Sequence, residues 1–337
     1  MAENRRNYIE TIHIEITRSC NLKCKYCFLE KDNIELDKQI YLCLLDELTN
    51  LGTLTITLTG GEPLIRKDIF YLIQKARKKG FKVGLLTNGT LIDKSTAHRL
   101  FKHGVFDFKV TLYGANEETY ENFTGKRKFK NALKGIENLL NIGANIGLIY
   151  PINTLTYKGI PEIKKIYNKL KKNRKNINLK FSSTIAPTRR FSLKTLEYEL
   201  PPDGLITLVN RWKIKLYKLD RSHLIRFKNN PIPCGAGITR CYISAEGRVF
   251  PCAVYYKEAG NIQKQSLTDI WYNSPLFTRL RELKFSDFKD CQTCYYRNIC
   301  IFKCPAVFEF YSGNPTKCPD KIFSKAKRLT NLLAKGG

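Results

Sequence analysis

Nowhere does this chain string together the eighteen or so uncharged apolar residues that a membrane-spanning helix needs. Its first residues, Met1 to Tyr8, lack the apolar core of a signal peptide, so the expected location is the cytosol. Acidic residues are scarce: 30 Asp plus Glu stand against 58 Lys plus Arg, a formal charge of +28. Such a balance favours anionic partners in general. The lysines, however, are spread along the whole sequence and no appended RNA-binding module is visible. They read as solvated faces rather than as a nucleic-acid patch. Histidine is scarce too, and His13, His98, His103 and His223 form no constellation. Cysteine is not scarce, with twelve in 337 residues. The cytosol keeps thiols reduced, so ligation of a metal or an iron–sulfur cluster is their expected use. An apolar share of 43% supplies a sizeable core, and the length suits one large domain plus a smaller one.

From residue 10 to about 186, short β-rich runs alternate with helical patterns, which predicts repeated β-α units on a parallel sheet. The spacing predicts strands at 12–17, 54–58, 82–86, 106–112, 145–152 and 178–184. Leu36, Ile40, Cys43, Leu44 and Leu48 fall on one helical face before Gly52. Ile69, Leu72, Ile73 and Ala76 form a second face, stopped by Gly80. A third runs through Phe129, Ala132, Leu133, Ile136, Leu139 and Leu140 to Gly143. Cys43 shares the first face and is expected to be a buried, inert thiol. Six units are fewer than the eight of a closed barrel, so the expected α/β fold is a partial (β/α)6 TIM-type barrel. Pro201-Pro202 opens one more helix, to about residue 217, and an Asn- and Pro-rich tract ending at 233 marks a boundary. The expected division is a core at 8–220, a linker at 221–233, a cysteine-rich domain at 234–323 and a C-terminal helix or tail at 324–337.

Catalytic groups in β/α barrels sit at the C-terminal ends of strands. After the first strand comes Cys20-Asn-Leu-Lys-Cys24-Lys-Tyr-Cys27. A cubane cluster normally takes four thiolates. Three from one tight turn leave one iron for a small molecule to complete, whereas zinc would want paired C-x2-C units and four protein ligands. After the second strand comes Thr59-Gly60-Gly61-Glu62-Pro63. Two glycines allow backbone to approach a ligand closely, and the carboxylate can hold an ammonium group; a plain turn would use the same residues. Thr87-Asn88-Gly89-Thr90 after the third strand is a turn by chemistry, open to a structural or a ligand role.

The three-cysteine loop, with Tyr26 before its last cysteine, resembles that of the radical S-adenosylmethionine (radical SAM) enzymes. The resemblance implies that the open iron chelates the amino and carboxylate groups of SAM, and that Gly60, Gly61 and Glu62 form the motif at the SAM amine. It also implies a ribose or carboxylate contact for Thr111 and a weaker one of the same kind for Asn153. The partial barrel is that family's fold.

Eight cysteines fall in residues 234–318: Cys234, Cys241, Cys252, Cys291, Cys294, Cys300, Cys304 and Cys318. Eight thiols are the number needed for two fully ligated cubanes, although C-x2-C units alone are also compatible with zinc. Cys234-x12-Gly247-x4-Cys252, then Cys291-x2-Cys294-x5-Cys300-x3-Cys304 and Cys318, resemble the seven-cysteine signature of the SPASM extension, with Cys241 as an eighth. By that resemblance Cys234, Cys241, Cys252 and Cys304 hold a first auxiliary 4Fe-4S cluster, carried largely by a hairpin at 240–249. Cys291, Cys294, Cys300 and Cys318 hold a second. With the N-terminal cluster that makes three.

The activity implied is reductive cleavage of SAM to a 5′-deoxyadenosyl radical, which abstracts hydrogen from a peptide or protein substrate. Crosslinking, epimerisation or side-chain oxidation would follow, with flavodoxin or ferredoxin as an electron donor. About eleven residues precede the first strand, so no fused leader-peptide-binding domain is expected; a separate binding protein or direct recognition would replace it. Sulfatase-maturing members carry an acidic residue after the cysteine matching Cys252. Here it is Ala253, which counts against that activity. A radical SAM enzyme acting on nucleic acid or a small cofactor, and a non-catalytic electron carrier, are the other readings.

Overall fold

The computed structural model describes residues 8–334 apart from 31, 173, 184, 186–192, 202–203, 205–207, 209–233 and 297–303. Most of the helix running to 217, the linker at 221–233 and Cys300 lie outside the described residues.

Alternation of apolar and polar residues yields six strands close to the expected places. They are β1 (Thr11–Thr17), β2 (Thr55–Gly60), β3 (Lys82–Thr87), β4 (Val105–Thr111), β5 (Ile146–Pro151) and β6 (Ile177–Ser182). All five pairings between successive strands are parallel. Parallel neighbours need crossovers, and helices supply them. These are α1 (Lys38–Asn50), α2 (Ile69–Lys78), α3 (Lys94–Lys102), α4 (Glu117–Thr124), α5 (Phe129–Asn141) and α6 (Ile160–Lys171). The buried stripe of α2 is Ile69, Leu72, Ile73 and Ala76, the face its spacing predicts. Burying each of its large apolar side chains is worth roughly 1.5–3 kcal/mol.

In α1 the stripe is Tyr41, Leu44, Leu45 and Leu48, and Cys43 is exposed, not buried as expected. Two residues past Tyr41, it is turned about 200° away from that face.

The sheet does not end with the sixth strand. After the undescribed segment the chain returns as β7 (Arg240–Ile243), which pairs parallel with β1 on its far side. Two short antiparallel strands, β8 (Arg248–Phe250) and β9 (Gly260–Asn261), extend it. The order is β6-β5-β4-β3-β2-β1-β7-β8-β9, an open sheet of nine strands among the described residues. The hairpin expected to belong to the C-terminal region is thus part of the main sheet.

Beyond it lie α7 (Leu267–Asn273), α8 (Pro275–Glu282), α9 (Lys289–Thr293), α10 (Pro305–Ser312) and α11 (Asp320–Ala334). The expected boundary at 323/324 falls inside α11. Thr268, in α7, donates its backbone N–H to Glu47 of α1 at 3.1 Å, a second join between the two regions. Among the described residues no helix is long and apolar enough to cross a membrane.

Candidate active site

The register between β1 and β2 shifts between Glu15 and Thr17. Such a bulge bends and re-aims a strand, and here it turns the chain into the loop that carries Cys20, Cys24 and Cys27. The neck of the loop is closed by Arg18 N–H to Ile34 O (2.8 Å) and Leu36 N–H to Ile16 O (3.0 Å). Arg66, buried, clamps it by donating to the carbonyls of Ile16 and Leu36, each at 2.6 Å. The sequence carries no signal for this role of Arg66, because the carbonyls it clamps are 50 and 30 residues away, while Asp68 holds the other side of its guanidinium.

Within the loop, Lys23 N–H and Lys25 N–H bond to the carbonyls of Thr124 and Phe123 at the end of α4 (2.8 and 3.0 Å). Tyr26 meets Phe123 edge-on at 4.8 Å, and Tyr113 stacks on Phe123 at 5.3 Å, forming an aromatic wall beside the thiols. Leu22 N–H donates to the Cys20 sulfur at 3.4 Å, a bond that favours the thiolate a cluster needs.

Gly60 and Gly61 lie tight against the root of the cysteine loop. A Cβ on Gly61 would stand 2.4 Å from the Ser19 carbonyl oxygen and 2.5 Å from that of Arg18, and one on Gly60 would strike the Thr17 carbonyl. Their close approach is to the root of the cysteine loop, sealed by Gly61 N–H to Thr17 O and Glu62 N–H to Ser19 O, both 2.8 Å.

That contact sets Glu62 at the strand ends. It is fully buried and accepts from Thr87 Oγ1 (2.8 Å), Asn88 N–H (2.8 Å) and Leu64 N–H (3.2 Å). Burial outweighs those bonds and raises its pKa from 4.5 to about 7. Loss of hydration first, then Glu62 and Cys27, push the Cys20 thiol up to about 11, so the three groups lie within electrostatic reach of one another. The turn at 87–90 has a scaffolding role: Asn88 Nδ2 donates to Asn21 Oδ1, and Asn21 Nδ2 to Thr90 Oγ1, both at 2.8 Å.

Thr111 is half-buried at the end of β4. Asn153, just past β5, is fully buried; its Oδ1 accepts from Leu155 N–H, but its Nδ2 has no partner among the described residues. The hydroxyl of Tyr120, on α4, is likewise buried without a partner among the described residues, and the Cys24, Glu62 and Cys20 charges act on it after burial itself. Two orphaned donors at one end of a barrel suit a polar ligand, since a buried donor is otherwise costly. Together with three thiols on one turn they fit a cluster plus SAM. Tyr120 gave no sequence signal, because it occupies an ordinary core position of an amphipathic helix.

In the C-terminal region, Cys234, Cys252 and Cys304 line one small, largely apolar pocket; Cys241 does not line it. Cys291 and Cys318 pack on a common apolar cluster with Phe288 and Phe308, and half-buried Cys294 follows one turn after Cys291. Among the described residues, no three His, Cys, Asp or Glu side chains converge tightly enough to hold a single metal ion, as a zinc site would require.

The two regions meet in a buried ionic network. Arg18 lies 3.0 Å from Glu15, 2.8 Å from Asp32 and 2.8 Å from Glu246 of the β7–β8 turn. Glu15 also accepts from the Tyr242 hydroxyl and from Ala245 N–H.

The chain matches the family model of the radical SAM superfamily over residues 14–167, and that of the SPASM iron–sulfur cluster-binding domain over 234–295. An AdoMet-dependent heme synthase of Methanosarcina barkeri is 29% identical over 315 residues, covering 85% of this chain and 88% of the relative. A PqqA peptide cyclase of Granulibacter bethesdensis is 26% identical over 298 residues, covering 85% and 79%. The crystal structure of Streptococcus suis SuiB bound to precursor peptide SuiA shares the fold, with TM-score 0.70 at 18% identity, over 94% of this chain and 76% of that one. With its three-cysteine turn on the first strand of a parallel β/α sheet and its cysteine-rich C-terminal region, the chain is a radical SAM enzyme with a SPASM domain.

Proposed function

We propose that this enzyme cleaves SAM and uses the resulting radical to modify a peptide or protein side chain, by crosslinking, epimerisation or oxidation, with the aid of three 4Fe-4S clusters. The observation that carries the reading is the assembly at the strand ends: Cys20, Cys24 and Cys27 on one turn, Glu62 and the Tyr120 hydroxyl within electrostatic reach of them, and the buried amide of Asn153 just past the end of β5. Cluster-bound SAM, on one-electron reduction, supplies a carbon-centred radical that takes a hydrogen atom from the substrate.

The chain's own residues bind and orient. Cys20, Cys24 and Cys27 hold the N-terminal cluster. A carboxylate offers about four acceptor sites, and Glu62 uses three on its own chain, leaving one for the SAM ammonium. Asn153 Nδ2 and the Tyr120 hydroxyl donate to oxygens or nitrogens of the same ligand, and Thr111 adds a hydroxyl at the neighbouring strand end. Gly60 and Gly61 act by seating the cysteine loop against β2. The aromatic wall of Tyr26, Tyr113 and Phe123 excludes water from one side. Cys234, Cys252, Cys291, Cys294, Cys300, Cys304 and Cys318 would hold the auxiliary clusters, which would supply electron-transfer capacity. A flavodoxin or ferredoxin supplies the first electron, and a separate binding protein, or the SPASM surface, presents the substrate.

The peptide-cyclase relative and the peptide-bound fold neighbour support a peptide substrate. The heme synthase relative favours a second reading, an iron porphyrin. The test is anaerobic incubation of reconstituted protein with SAM and dithionite, adding either a short Cys- or Gly-rich peptide encoded beside the gene or an iron porphyrin. Deoxyadenosine with a changed peptide mass supports the first reading. Turnover with the porphyrin alone replaces the substrate class, and absence of deoxyadenosine removes the reading altogether.

A further inference from the structure

We propose that the polar face of the sheet carries a carboxylate-binding site, built from Lys109, Lys180 and Arg240, that receives the acidic groups of the substrate. This deepens the function proposed above by naming the chemistry of the substrate. It rests on that reading only in calling the bound molecule a substrate.

The two faces of the sheet differ in kind. Ile12, Ile56, Phe108 and Leu148, one from each of β1, β2, β4 and β5, lie in the main apolar core. Successive residues of a strand point to opposite faces, so the other face carries His13, Thr57, Lys109 and Gly147. In β6 this face continues with Asn178, in register with Gly147, and with Lys180, in register with Ile149. In β7 it continues with Arg240 and with Tyr242, whose hydroxyl reaches Glu15. Thr111 follows Lys109 on the same face, about 7 Å along β4. A group held by Lys109 therefore sits one step further from the strand ends than the SAM contact proposed for Thr111.

Three cations share this face without carboxylates to match them. Lys109 is half-buried, and among the described residues none of the three has an ion pair. Burial lowers the pKa of Lys109; Asp107 opposes this through space, and Lys180 and Arg240 add to it. Glu15 is already engaged by Arg18 and Tyr242. Burial, then Lys109 and Arg240, lower His13 to about 4, so its imidazole is a neutral hydrogen-bonding group.

Arg240 and Lys109 stand on strands four spacings apart, about 19 Å along a flat sheet. Yet the Arg240 charge acts on both Lys109 and His13. The sheet therefore curls, and the long side chains converge over its hollow. Gly147 leaves room at the floor: a Cβ there would have no neighbour closer than 3.7 Å, with Asn178 on one side and Lys109 on the other.

A partly desolvated cation without a partner is costly unless a ligand brings the counter-charge. Ammonium groups and a guanidinium fork together suit a carboxylate. Both substrates considered above can offer one, an acidic peptide through Asp or Glu and an iron porphyrin through its propionates.

The experiment measures binding to the anaerobically reconstituted full chain with SAM present and no reductant. The probes are a Glu-rich peptide and an iron porphyrin with free propionates. Their controls are the same peptide with Gln for Glu and the porphyrin methyl ester. One probe should bind, about tenfold or more tighter than its control, and so name the source of the carboxylate. Lys109→Met should weaken that binding about tenfold or more. Lys180→Met, at an exposed position, tests the same site without touching the core and should weaken binding up to about fivefold. SAM affinity should stay as it is in both variants. Binding of neither probe, controls that bind as tightly, or unchanged affinity in both variants would overturn the proposal. So would a Lys109→Met protein whose SAM affinity falls equally, since the ammonium would then serve SAM. Lys109-dependent binding with no deoxyadenosine after dithionite is added would keep the carboxylate site and remove the radical reading instead.

Discussion

The guanidinium of Arg18, two residues before Cys20, lies 2.8 Å from the carboxylate of Glu246 in the turn between β7 and β8. This contact and the Glu15–Tyr242 bond are the polar seam along which the cysteine-rich region is fixed to the radical SAM core. Glu15 is fully buried, so removing Arg18 takes away the cation 3.0 Å from its carboxylate and leaves a buried charge held by neutral partners such as the Tyr242 hydroxyl and Ala245 N–H. Breaking a buried pair from one side costs about 3–5 kcal/mol, and those remaining bonds put Arg18→Met near 3. Denaturant unfolding of the reconstituted protein measures it. The Glu15→Gln, Arg18→Met double variant should recover part of the loss, and strict additivity would show that the pair is not coupled.

Gly61→Ala separates a packing role from a ligand role. The new Cβ would meet two carbonyl oxygens at 2.4 and 2.5 Å, neither able to retreat without moving the loop. The N-terminal cluster should be lost, seen as about four fewer irons of about twelve, with the auxiliary clusters intact. An unchanged iron count with weakened SAM binding would instead mean that Gly61 touches the ligand.

Glu62 gives the site a pH dependence. Its carboxyl titrates at about 7 in the fold against an ordinary 4.5, chiefly through burial. Below about pH 7 it is protonated and cannot pair with an ammonium, so SAM affinity should fall roughly tenfold per unit there and level off above. The same shift favours the protonated folded state, so the ligand-free protein loses stability as pH rises from 4.5 through about 7. Isothermal titration across this range, with Glu62→Gln as control, checks both; a Gln variant with the same sloping affinity would remove Glu62 from the amine site.

Tyr120→Phe deletes a buried hydroxyl that has no partner among the described residues. Ligand-free stability should be unchanged or rise by up to about 1 kcal/mol, while SAM binding weakens by a comparable amount. Equal effects on both, or none on binding, would leave the hydroxyl without a ligand role.

Cys24→Ala should abolish deoxyadenosine formation and remove about four irons, leaving the auxiliary absorption in place. Complete loss of iron would mean that the two sets of thiols do not fold independently of each other.

What the sequence determined by itself was everything with a short period or a short spacing. Six strands, the apolar faces of α2 and α5, and the turn of Cys20, Cys24 and Cys27 follow from patterns whose information lies within a dozen residues. Even there Cys43 failed, because a helix face read from spacing has no fixed edge until Tyr41 and Leu45 choose their neighbours.

The tertiary structure decided which distant segments lie side by side. That β7 pairs with β1, 227 residues apart in the Tyr242–Glu15 bond, is a matter of strand register, and register turned Cys241 from a hairpin thiol into a core residue. The same holds for Arg66 on the loop neck and for the orphaned donors of Tyr120 and Asn153. A side chain's chemistry is written in the sequence, but its partners are set by long-range packing, where one residue of slip exchanges the two faces of a strand.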